Sequence, residues 1–195
     1  MTRIPGMSVC RFSECLRLPL LLAAIMPLFT NASLAADWSV KEIRLGATVS
    51  AQAKSTFESG FFPTVVLYFD PLDSANAATW REKLLRPQLH AGLSVSSAGN
   101  ASQVYAGFNW KVDVTDRLFI DLGFGGTVHN GDLDDDGTKG PKLGCSVLFH
   151  EYAAAGFRVT DKVDILATID HSSNADLCDV NDGISHAGLM LAYKF

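Results

Sequence analysis

Gln103-Val104-Tyr105-Ala106-Gly107-Phe108-Asn109-Trp110-Lys111-Val112 changes character at every residue. Val104, Ala106, Phe108, Trp110 and Val112 fall on one side of an extended chain, and Gln103, Tyr105, Gly107, Asn109 and Lys111 on the other. Side chains of a strand alternate faces with period two, so this stretch is a strand with one apolar face and one polar or small face. One such strand is a weak signal. Repeated in segments of about ten residues separated by turn residues, it becomes the signature of a transmembrane β-barrel.

The repetition extends along the chain. Ile43, Leu45, Ala47 and Val49 oppose Glu42, Arg44 and Thr48 near 42–49. Leu89, Ala91, Leu93 and Val95 oppose Gln88, His90, Gly92 and Ser94. Leu118, Ile120, Leu122, Phe124 and Val128 oppose Asp121, Gly123, Gly125, Thr127 and His129. Further strands are expected near 62–69, 143–157, 163–173 and 185–195; the 62–69 segment is apolar on both faces and less legible. The fold expected is all-β, an eight-stranded antiparallel transmembrane β-barrel preceded by a signal peptide. Charged and glycine positions belong inside, because eight strands leave an interior that side chains just fill.

Three features favour a membrane barrel over a soluble one. Tight turns at Thr115-Asp116 and 159–162 alternate with longer connections at 52–60, 130–141 and 174–182, the outer-membrane pattern. Trp38, Phe62, Tyr68, Trp110 and Tyr193 sit near strand ends, as girdle aromatics do. The last strand puts Leu189, Leu191, Tyr193 and a terminal Phe195 on one face, like the assembly signal of outer-membrane proteins. The connection 71–86 is long for an inner turn; a short helix from a Ser74 cap through Leu85 is expected there.

Residues 1–35 read as a signal peptide, leaving 36–195 as the barrel. Arg3, Arg11 and Arg17 precede an apolar run at 18–29, and Ser33-Leu34-Ala35 offers small residues for cleavage before Ala36. That run is too short to span a bilayer as a helix. Without the leader, the chain's 16 basic and 21 acidic residues become 13 and 20. An acidic chain argues against nucleic acid as a partner. Cys145 and Cys178 remain after export, a candidate disulfide in an oxidising compartment.

Continuing the alternation of 163–170, His171 and Ser173 land on the apolar, lipid-side face. Ionisable groups there are functional suspects. His171-x-Ser173-Asn174-Ala175, then Asn181-x-Gly183 and a strand ending Tyr193-x-Phe195, resembles the lipid A 3-O-deacylase family (PagL-like outer-membrane enzymes). The motif spans about 25 residues, and the eight-strand layout carries a looser resemblance over the rest of the barrel.

The resemblance implies that Ser173 is the nucleophile and His171 its general base. It implies that Asn174, with nearby backbone amides, builds an oxyanion hole. The bond attacked would be the ester holding a 3-hydroxyacyl chain on lipid A. The family's acidic residue is expected two residues after the Gly of Asn-x-Gly; here that position is Ser185, and the carboxylate is missing. Asp182, Asp176 or Asp179 could substitute if the loop folds back, whereas Asp170 and His186 face inward. Loss of the orienting acid costs orders of magnitude in rate without abolishing catalysis. A non-catalytic barrel, structural or binding, is the alternative. A Cys145–Cys178 bond would tether the loop bearing the oxyanion residues.

The expected partners are lipid A or lipopolysaccharide and the surrounding outer-membrane lipids; a homodimer stays open. No cofactor is expected. Asp132-Leu133-Asp134-Asp135-Asp136-Gly137 begins like a calcium loop, but Leu143 stands where the bidentate Glu belongs, so no metal site is assigned. His90, His129 and His150 are inward by parity and read as part of a polar plug.

Overall fold

The computed structural model describes residues 38–52, 54–134 and 140–195. The leader read at 1–35 lies outside them. Eight strands form a closed antiparallel barrel: β1 (Val40–Ser50), β2 (Phe62–Phe69), β3 (Gln88–Ser94), β4 (Gln103–Asp113), β5 (Leu118–His129), β6 (Val147–Arg158), β7 (Val163–Ser173) and β8 (Ile184–Lys194). Each strand pairs with its neighbour in sequence, and β1 closes on β8 from Glu42↔Lys194 to Ser50↔His186. Closure satisfies every strand edge, which an open sheet in hydrocarbon cannot do. Among the described residues no helix is long and apolar enough to cross a membrane; strands of 11 or 12 residues are long enough.

The apolar rows face outward. Leu45, Val104, Leu122 and Leu189 are exposed, while Arg44, Gln103, Asp121 and Met190 beside them are buried. Inside, Arg44 donates to Glu42 and Asp121, and Lys111 Nζ donates to Glu42 at 2.8 Å. Lys194 pairs with Asp164 at 2.9 Å. The Arg44 guanidinium lies 4.0 Å from the Tyr68 ring centroid. Large rings complete the filling. Tyr152 lies over Gly123 and Phe119 over Gly156, where a Cβ would overlap the ring. The interior is a packed polar plug; near Tyr68, Tyr105, His150 and Tyr152 it leaves a cavity of only about 30 Å³.

Three local readings change. Phe62 and Tyr68 are not girdle aromatics: the register of β2 turns Phe62, Thr64, Val66 and Tyr68 inward, and both rings are buried. The helix begins later than expected. Ser74–Asn76 is a separate 3-10 turn, and α1 (Trp80–Leu85) is capped by Thr79, whose Oγ1 accepts from Glu82 N at 3.2 Å. β6 begins at Val147, four residues later than read, because the Lys142–Cys145 segment serves the loop described next.

Candidate active site

β7 and β8 run side by side with His171 directly opposite Ser185 and Ser172 opposite Ile184. On β7 the inward set is Asp164, Leu166 and Ser172, all buried; His171 and Ser173 lie on the other face and are half-buried. Imidazole and hydroxyl therefore share the outer wall, at the end of β7 that leads into the 174–182 loop. His171 Nδ1 and Ser185 Oγ are 2.8 Å apart. An Nδ1–H donating to Ser185 leaves Nε2 as the acceptor, the tautomer a general base needs. Among the described residues no hydrogen bond yet joins Ser173 to His171; such contacts often close only when substrate is bound.

The segment holding the imidazole is itself clamped. Gln52, just beyond β1, accepts from Ser185 N at 3.1 Å and donates through Nε2 to Gly183 O at 3.0 Å. Gly183 has φ +66°, and a Cβ there would sit 2.8 Å from His171 Cε1 and 3.3 Å from Nε2. This is why the Asn-x-Gly element ends in glycine: the backbone passes against the ring in a conformation other residues resist.

The loop beyond Ser173 is bound to the segment before β6. Asn174 is buried, and its Nδ2 donates to Leu143 O at 2.8 Å and Val180 O at 2.6 Å. Its backbone N–H donates to Asn181 Oδ1 at 3.0 Å. The Asn174 side chain thus organises the loop in this state. Ala175 and Asp176 follow with φ of +53° and +60°, a tight left-handed turn. Lys142 and Asp182 are joined twice, Asp182 N donating to Lys142 O at 2.9 Å and Lys142 N to the Asp182 carboxylate Oδ2 at 2.8 Å. Cys145 and Cys178 are bonded, with Cα atoms 6.0 Å apart.

The substitute acids lie elsewhere. Asp182 is engaged by Lys142, Asp176 accepts from Asn181 Nδ2 at 2.9 Å, and Asp179 is exposed. None has a hydrogen bond to His171, whose Nδ1 partner is Ser185. Asp170 and His186 face the interior, where His186 Nε2 and Glu58 Oε2 are 2.9 Å apart. A second His–serine pair, His150 Nδ1 and Ser172 Oγ at 3.0 Å, is fully buried and continues to Gln103, so it belongs to the plug.

One outward residue was not singled out from sequence. Glu151 of β6 faces His171 across the strand pair from the side opposite Ser185. The signal was available: a single carboxylate in the outward row Val147, Phe149, Glu151, Ala153, Ala155, Phe157.

Comparison with known proteins agrees with this layout. The family described as "Lipid A 3-O-deacylase (PagL)" matches residues 45–194. The structure described as "Crystal structure of the outer membrane enzyme PagL" superposes with a TM-score of 0.59 at 20% identity, covering 79% of this chain and 99% of that one. Neisserial surface protein A superposes with a TM-score of 0.50 at 14% identity, covering 80% and 96%. At these identities both show the shared barrel fold. No curated protein matches the chain in sequence.

Proposed function

The chain belongs to the lipid A 3-O-deacylase (PagL) family, and from that premise we propose that it is an outer-membrane carboxylic ester hydrolase that removes a 3-hydroxyacyl chain from lipid A. Ser173 is the nucleophile and His171 the base. The observation that carries this reading is the outward imidazole, fixed through Nδ1 to Ser185 with Ser173 two residues along on the same face.

The reaction proceeds in two halves. Ser173 Oγ attacks the acyl carbonyl while its proton passes to His171 Nε2. The tetrahedral adduct collapses, the sugar oxygen takes that proton and leaves, and the acyl chain stays on Ser173. Water, deprotonated by His171, then releases the 3-hydroxy acid and restores the serine. With the Asn174 backbone N–H and both its Nδ2 hydrogens engaged, the backbone N–H groups of Ala175 and Asp176 in the turn that follows are the assigned oxyanion donors. A single such donor is worth roughly 10²–10³-fold in rate. No cofactor enters.

A site on the outer wall suits a substrate that is itself a membrane lipid. Lipid A reaches the dyad by lateral diffusion with its chains along the barrel, and the packed interior never needs to open. The stacked rings of Phe124 and Phe149, centroids 6.1 Å apart, offer an apolar platform beside Ser173. The catalytic face is accordingly assigned to the outer leaflet.

The test is the mass of lipid A after incubation with refolded protein in detergent micelles. Wild-type protein should remove one 3-hydroxyacyl chain, and Ser173→Ala and His171→Ala should remove none while still folding. Lipid A unchanged by the wild type would refute the assignment in favour of a non-catalytic barrel.

A further inference from the structure

Following the strand pairings through the imidazole, one row of directly opposed outward residues reads Phe108, Phe124, Glu151, His171, Ser185. Two aromatic rings suit a lipid-facing wall. The carboxylate beside them does not: charge on that face is unfavourable unless something compensates it. Glu151 is exposed, and no side chain among the described residues hydrogen-bonds to it. The ionisable neighbour it does have is His171, its register partner on β7. Directly opposed residues carry Cβ atoms about 4.5–5.5 Å apart, within reach of a glutamate and an imidazole.

The chemistry of the dyad supplies a reason. When His171 takes the Ser173 proton it becomes a cation against hydrocarbon. An orienting acid does two things in such a site: it fixes the ring through Nδ1, and it stabilises the imidazolium by charge. Ser185 does the first, at 2.8 Å. A neutral hydroxyl cannot do the second.

The geometry points to Glu151 as the residue that supplies the missing negative charge, from β6 rather than β8. It acts as a positioning residue through His171, not on the substrate. In the proposed steps the proton travels only between Ser173, His171, the leaving sugar oxygen and water. The two duties of one carboxylate are here divided between strands on either side of the histidine. This inference rests on the Ser173–His171 reading above.

Refolded full-length protein carrying Glu151→Gln, Glu151→Asp, Ser185→Glu, or Glu151→Gln with Ser185→Glu tests it with two readouts. One is steady-state deacylation of lipid A. The other is the rate at which a fluorophosphonate labels Ser173, which reports the activated serine without needing lipid A. Glu151→Gln should lower kcat and the labelling rate together by about 10- to 100-fold with KM unchanged, and Glu151→Asp should fall between it and wild type. Ser185→Glu should restore at least tenfold in the Glu151→Gln background. A merely structural Glu151 would not be rescued from β8.

A wild type that is labelled or turns over while Glu151→Gln matches it overturns the Glu151 assignment alone. So does a change in KM without one in kcat, which would put Glu151 on the substrate. A wild type that neither labels nor deacylates overturns the enzyme reading and this inference together.

Discussion

Replacing Gly183 by Ala tests how closely the loop backbone sets the imidazole. Two effects add. The residue has φ +66°, a left-handed conformation that costs an L-residue with a Cβ about 1–2 kcal/mol. The new Cβ would also lie 2.8 Å from His171 Cε1 and 3.2 Å from Ser172 O. Comfortable carbon contacts begin at about 3.5 Å, so ring or loop must give way by roughly 0.7 Å. Ser172 O belongs to a strand held on both sides, so the ring is the part that moves. A misplacement of about 1 Å in a catalytic group costs on the order of 10²-fold. We therefore expect Gly183→Ala to fold, to lose about 1–2 kcal/mol of stability, and to lower kcat by on the order of 10²-fold. Gly99→Ala is the control: φ is +81°, but nothing lies within 4 Å of its added Cβ. It should show similar backbone strain with kcat unchanged. The assay is release of 3-hydroxy acid from lipid A, with folding followed by heat-modifiable gel mobility. Turnover by Gly183→Ala within threefold of wild type would refute the claim that Gly183 fixes the imidazole.

Two further outcomes follow from the packing. Reducing the Cys145–Cys178 bond opens a loop of sequence separation 33, worth about 3–4 kcal/mol by chain entropy, so reductant should sharply raise amide exchange at 174–182 and lower turnover; unchanged exchange would contradict it. Arg44→Met leaves Glu42 and Asp121 buried without their shared partner and should cost about 3–5 kcal/mol in urea unfolding, the kcat of the folded fraction being unaffected; an unshifted urea midpoint would contradict that.

Alternation made most of the barrel legible. β1, β4, β5 and β7 each carry a polar inward set and an apolar outward set, and period two then fixes where every side chain points. β2 resisted because both its faces are apolar: Val65 and Leu67 face out, Val66 and Tyr68 in, so composition could not say which rings were girdle and which were core. The start of β6 was misjudged because Leu143 and Cys145 look like strand residues. Leu143 is instead buried in the loop cluster with Ala101, Leu148 and Ile184, a long-range contact invisible to a local pattern.

The site divides in the same way. That His171, Ser173 and Ser185 share a face was readable from spacing, since parity survives along a regular strand. The engagement of Asn174 with Leu143 O and Val180 O was not, because it depends on how an irregular loop folds. Gln52 reaches Gly183 and Ser185 only because β1 closes on β8, which no nearest-neighbour reading of the sequence reveals. Glu151 was within reach of parity, and needed the β6–β7 register to gain meaning.

The most direct measurement is the site of the acyl adduct. Refolded protein mixed with lipid A and quenched in acid within the first turnover should carry a 3-hydroxyacyl group on the peptide containing Ser173, and Ser173→Ala should carry none. An adduct on another residue, or free 3-hydroxy acid released by Ser173→Ala at the wild-type rate, would contradict the account.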